Sequence, residues 1–155
     1  MPNHYVQFSE VIPDLTAAEA AWIRRQFARD PEQDAPPICQ LTGDDAWVFD
    51  WKICDDPEED GRRYLWLYAE DHAIVDHVAA FVQAFLRQFR PQAYFQCSYA
   101  FSCSRPVPGQ FGGGAVFVTA TQIRWFSSNA WLTRQARRWR WWSWWGRCLA
   151  MFRYH

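Results

Sequence analysis

Five cysteines, Cys39, Cys54, Cys97, Cys103 and Cys148, are the chain's candidate nucleophiles. A catalytic thiol needs a neighbouring base and an electropositive setting that favours the thiolate. There is no CxxC pair, and nothing in the spacing brings His72 or His77 beside a cysteine. Cys97 and Cys103 lie six apart in a strand-like segment and share a face with Phe95, Tyr99 and Phe101, so packing as small hydrophobes is expected of them. His72 and Asp76, four apart, share a helical face, whereas His77 does not share it with His72. Two ligands do not make a metal site and no HExxH occurs, so a solvated polar face is expected there. Gly112-Gly113-Gly114 invites comparison with a phosphate loop. Such a loop leads into a helix N-terminus and often continues with Lys and Ser/Thr. Here the glycines precede Ala115-Val-Phe-Val-Thr119, and Lys52 is the only lysine. A turn or bulge that requires positive φ is expected instead. No cofactor and no metal are expected.

The aromatic residues offer a different chemistry. Tyr64, Trp66 and Tyr68 alternate with Leu65 and Leu67, and Trp47, Phe49 and Trp51 alternate in the segment before them. If the leucines face a core, the three aromatics face away from it, with Trp47, Phe49 and Trp51 expected beside them on a paired strand. An open aromatic sheet face is how RNA-recognition modules stack bases, at roughly 1–3 kcal/mol per base. Against that, the domain is net acidic, and Arg63-Tyr-Leu-Trp-Leu-Tyr-Ala69 lacks the glycines of the RNA-recognition signature. A face of this kind is expected to be covered, by a C-terminal segment or a second subunit. The candidate binding residues are Trp47, Trp51, Tyr64, Trp66, Tyr68 and, on the loop after the fourth strand, Arg105.

These residues must be positioned by a small set of elements. His4–Ile12 reads as a strand; Thr16-Ala-Ala-Glu19 matches a capping box that opens a helix running to about Arg29. Asp30–Asp45 reads as loop, Ala46–Cys54 as strand, residues 55–61 as an acidic turn, and Arg63–Ala69 as the returning strand of a hairpin. Apolar residues at spacings of three and four from Ile74 to Phe89 mark a helix from about Glu70, stopped by Pro91. Tyr94–Ser104 is a strand, Arg105–Gly114 a loop and Ala115–Ile123 a last strand. The order β-α-β-β-α-β plus one strand predicts an α+β fold: an antiparallel sheet with two helices on one face, of the ferredoxin-like kind.

The 155 residues are enough for one domain with a core, and half are apolar, which excludes wholesale disorder. The net charge of −1 conceals an asymmetry: residues 1–124 carry 17 acidic against 10 basic residues, a net −7, and residues 125–155 carry six Arg and no acid. Seven of the eleven Trp fall in that tail. The chain therefore divides into an α+β domain, 1–124, and a Trp/Arg-rich tail, 125–155. Three readings of the tail stand open: a segment lying at a membrane surface, an arm for nucleic acid or an acidic partner, and a run read out of frame. The Arg codon CGG and the Trp codon TGG differ by one base, and the abrupt loss of acids favours the third. No leader-like segment and no apolar run of 18 residues is present, so reduced thiols in a bacterial-type cytoplasm are expected.

The segments His4-Tyr-Val-Gln-Phe-Ser-Glu-Val-Ile12, Leu65-Trp-Leu-Tyr-Ala-Glu70 and Phe111-Gly-Gly-Gly-Ala-Val-Phe-Val-Thr-Ala120 resemble a family of small uncharacterised bacterial proteins. The resemblance covers about residues 3–124. In that family the last strand continues into a polar helix, where this chain has Phe126 onward. The family has no assigned activity, so the resemblance implies no catalytic residue.

The function expected is non-catalytic: binding of a protein partner, or self-association, through the aromatic sheet face. The alternatives are a small enzyme with a pocket near residues 103–114, where Cys103, Arg105 and Gln110 could converge, and a nucleic-acid-associated accessory protein.

Overall fold

In the computed structural model, residues 3–28, 36–44, 46–55, 62–105 and 107–138 are described. Strand β1 (His4–Ile12) alternates inward Phe8 and Ile12 with outward Gln7, Ser9 and Val11. Helix α1 (Ala17–Phe27) opens with the expected capping box: the Glu19 amide donates to Thr16 Oγ1 at 3.2 Å while the Thr16 amide donates to the Glu19 carboxylate at 2.7 Å. A short helix, α2 (Pro37–Thr42), lies where loop was expected. Its proline-led first turn and the left-handed C-cap at Gly43 (φ 77°) are the signals that delimit it. Residues 30–35 and 45 of that expected loop, and Arg29 at the expected end of α1, lie outside the described residues.

Strand β2 (Asp50–Asp55) pairs with β3 (Arg63–Ala69); the expected acidic turn between them lies, from residue 56 to 61, outside the described residues. Helix α3 (Val75–Phe89) begins five residues later than its apolar pattern suggested. The preceding residues are drawn off by other partners: the Val6 amide donates to the Asp71 carbonyl at 2.8 Å, Gln7 Nε2 to the Glu70 carbonyl at 2.7 Å, and the Ile74 amide to the Val48 carbonyl at 2.9 Å. Strands β4 (Tyr94–Cys103), β5 (Gly112–Thr119) and β6 (Ile123–Ser127) complete the sheet. β6 runs across the change in composition at residue 125, pairing Trp125 with Val116 and Phe126 with Ala115. Residues 128–138 are helical and follow directly. Ser127 Oγ accepts from the Ala130 amide at 3.4 Å, and Ser128 Oγ bonds both the amide and the carbonyl of Gly113, at 3.0 and 2.9 Å. Residues 139–155, which include most of the tail tryptophans, lie outside the described residues.

The six strands lie in the order β2-β3-β1-β4-β5-β6, all neighbours antiparallel. The first four reproduce the split β-α-β order, so the α+β architecture read from the sequence is the one observed. Among the described residues the core forms on one face of the sheet. Leu65, Leu67, Val116 and Val118 from the sheet meet Ile23, Ile38, Val78, Phe81, Val82 and Phe85 from α1, α2 and α3, each at most 1 % exposed.

Gly112–Gly114 lie within β5, not in the loop expected there, and none has positive φ. Crowding, not backbone conformation, excludes side chains: a Cβ on Gly113 would strike the Tyr99 carbonyl oxygen, and one on Gly114 the Phe126 carbonyl oxygen and the Tyr99 ring.

Candidate functional site

The helices α1, α2 and α3 cover one side of the sheet, and the alternate residues of the six strands point to the other. The pairing register specifies what stands there. Lys52 is opposite Trp66 and Trp66 opposite Val11; Gln96 is opposite Phe117 and Phe117 opposite Arg124. A second row runs Asp50, Tyr68, Ser9 and then Ser98, Ala115, Phe126. The β1–β4 pairing runs from His4 opposite Cys103 to Gln7 opposite Ala100; continued at the same register it would bring Ser9 level with Ser98 and Val11 with Gln96. The face carries aromatic side chains on β3 and β5 with Val11, Ser9, Gln96 and Ser98 between them, Lys52 and Asp50 at the β2 edge and Arg124 at the β6 edge.

Leu65 and Leu67 are fully buried, and Tyr64, Trp66 and Tyr68 point to the other side, half-buried, as the alternation in the sequence requires. Trp66 and Tyr68 stack with ring centroids 4.0 Å apart, and Trp66 Nε1 donates to Ser9 Oγ at 2.9 Å, which fixes the indole. Around this pair lies a shallow depression whose polar rim is Gln7, Ser9, Glu70 and Asp71. Val11 is 47 % exposed, Tyr94 63 %, Phe117 40 % and Phe126 50 %. Tyr94 and Phe117 stack at 5.3 Å. These four were not among the residues singled out from the sequence. The signal for Tyr94 was the alternation of Tyr94, Gln96 and Ser98 with Phe95 and Cys97. Phe126 is obscured because the single last strand expected over Ala115–Ile123 is two, β5 and β6, paired antiparallel across a turn at residues 120–122.

Trp47 and Trp51 are not on this face. Trp51 is opposite Leu67 and so points into the helix layer, where it stacks on Phe27 at 4.4 Å. Trp47 precedes β2 and meets the same ring edge-on at 5.4 Å, with Phe49 at 5.9 Å. The reason is parity: Asp50 and Lys52 take the outward positions of β2, which leaves the inward ones to Trp51 and Ile53. Arg105 is also apart. Trp66 is opposite Val11 near the C-terminal end of β1, whereas Arg105 follows Cys103, which is opposite His4 at the other end. Arg105 and Gln110 are both exposed.

The remaining candidates are occupied structurally. Cys97 is 1 % exposed, and burial, with a smaller contribution from the Glu10 charge, pushes its thiol up to about 12, so it stays protonated and inert. Tyr99 is also raised, first by burial and then by the charge of Asp76. His77 is 3 % exposed and lies in no solvated face: its Nδ1 accepts from the Val48 amide at 3.2 Å, so Nε2 bears the proton shared with Asp44 at 2.6 Å. Both ring nitrogens are used, which ties the segment before β2 to α3. Among the described residues, no three His, Cys, Asp or Glu side chains come together as a metal site, and no helix is long and apolar enough to cross a membrane. Comparison with family models, curated proteins and solved structures finds no match.

Proposed function

We propose that this chain is a non-catalytic, cytoplasmic binding module whose working surface is the open face of the sheet, and that the surface takes another polypeptide. The observation that carries this reading is the set of half-buried and exposed apolar side chains, Trp66, Tyr68 and Val11 toward one edge and Tyr94, Phe117 and Phe126 toward the other, on a face that receives none of the three helices α1, α2 and α3. Contiguous exposed apolar surface on a rigid element is the usual mark of a docking site. The depression beside Trp66 is shallow and has two carboxylates at its rim, which suits contact with a surface better than enclosure of a small anionic substrate. Among the described residues the thiols of Cys54, Cys97 and Cys103 form no disulfide, which accords with a reducing compartment.

A nucleic-acid reading shares the split β-α-β strand order and the aromatics on β3. It is disfavoured by the excess of 17 acidic over 10 basic residues before position 125, and because Trp66 and Tyr68 already stack on each other. The test is a photo-crosslinking amino acid placed at position 66 of the full chain, with position 88 on the exposed side of α3 as control, expressed in the native host. Polypeptide adducts from position 66 and not from 88 are expected. Adducts to nucleic acid, or no adduct at 66, would overturn the reading.

A further inference from the structure

Building on that reading, we infer that the polypeptide that covers the open face is a second copy of this chain, packed sheet to sheet about a two-fold axis that crosses the strands between the two rows of residues described above. The size of the face is the first argument. Six strands spaced by about 4.8 Å and averaging seven or eight residues at about 3.3 Å each give a flat footprint of roughly 600 Å². Two such faces would bury roughly 1,200 Å² between them, the lower end of specific interfaces.

Charge and shape complementarity are the second. A two-fold axis in the interface plane, perpendicular to the strands, exchanges the rows while keeping each strand over its own counterpart. Lys52 then faces the partner's Asp50, and Asp50 faces the partner's Lys52. Trp66 faces the partner's Tyr68, and Phe117 faces the partner's Ala115, a large residue over a small one. At the far edge Arg124 faces the partner's Phe126, a cation over an aromatic ring. Every charged residue in the two rows, Lys52, Asp50 and Arg124, thereby acquires a favourable neighbour. The other in-plane axis, along the strands, would set Lys52 against Arg124. The sheets would pack about 10 Å apart with strands antiparallel to those of the partner, the aligned arrangement of β-sandwiches.

The test is sedimentation equilibrium of the full chain from about 1 to about 100 μM, the range in which an interface of this size is populated. The wild-type chain is expected to dimerise. Lys52→Asp and Asp50→Lys should each weaken the dimer on the order of ten-fold, because each creates two symmetry-related like-charge contacts. The double exchange, Lys52→Asp with Asp50→Lys, should restore it. Both positions are exposed, so circular dichroism melts of the single variants, run dilute enough that every form is monomeric, are expected to match the wild type. A monomer throughout, single variants that leave the dimer unchanged, or a double variant that stays weak would overturn the pairing. A monomeric chain that still gives polypeptide adducts from position 66 would refute the second copy and leave the binding face standing; one that gives none would refute both.

Discussion

Arg90 donates from Nε and Nη2 to the Glu19 carboxylate at 2.6 and 3.0 Å, from Nη1 to the Pro13 carbonyl at 3.0 Å and from Nη2 to the Asp14 carbonyl at 2.8 Å. One guanidinium thus ties the end of α3 to the start of α1 and to the turn after β1, with its face over the Phe85 ring. Burial alone would raise the Glu19 carboxyl; the bonds from Arg90 and from Thr16 outweigh it and hold the group below its ordinary 4.5. A lowered folded-state value means that this stabilisation is present above the unfolded value and disappears as pH falls through the folded one. Arg90→Ala should therefore destabilise by about 3 kcal/mol at neutral pH, since it strands a buried carboxylate. The gap to the wild type should narrow as the pH is taken below 4.5, measured by urea unfolding. Glycine supplies a second prediction. A Cβ on Gly114 would come within 2.5 Å of Tyr99 Oη besides striking backbone, whereas on Gly112 it meets only the Asn129 and Ser128 side chains at 3.0 Å or more. Gly114→Ala should cost on the order of 2 kcal/mol or more, and Gly112→Ala well under 1, compared by thermal melts.

At the scale of elements, β6 and the start of the helix after it belong to the same hydrogen-bonded unit as β5. Ending the chain at residue 124 would remove three of the five β5–β6 partners and the Ser128 bridge to Gly113. A 1–124 fragment should melt roughly 5–10 °C below a 1–138 fragment, corresponding to about 2–3 kcal/mol. Equal melting temperatures would show that Trp125–Ser127 add nothing to the sheet. The sequence made most elements legible because burial on one side writes a period into them: Phe8 and Ile12, Leu65 and Leu67, and the Val78-Phe81-Val82-Phe85 stripe each face the core. It was misleading where a partner, not a period, decides. The Ile74 amide goes to Val48, so α3 starts late. Phe27 draws Trp47 and Trp51 inward, although an alternating aromatic run is equally compatible with the opposite face. Of the candidate site, Tyr64, Trp66 and Tyr68 were legible from Leu65 and Leu67 alone. The rest of the face needed the register between strands far apart in the chain, which local pattern does not contain.

On the scale of the whole molecule, the strand order has a consequence in time. β1 is the first element of the chain, yet it lies at the middle of the sheet between β3 and β4. Its partners are Leu65–Ala69 on one side and Ala100–Cys103 on the other, so neither edge can be satisfied until most of the domain has been made. At about 5–20 residues per second, a ribosome needs roughly 5–20 s to add the hundred residues that separate His4 from Cys103. Both edges of Tyr5-Val-Gln-Phe8 are unpaired until Ala69 and Asp71 are made, and the β4 edge stays open for the rest of that interval; a segment of this kind invites mispairing. Nascent chains arrested with residues 1–90 outside the ribosome should be cut readily in β1 by a protease, and chains with residues 1–130 outside should resist. The newborn protein thus passes through a vulnerable phase that ends only when β4 emerges, and its yield in a crowded cell will depend on what shelters β1 until then.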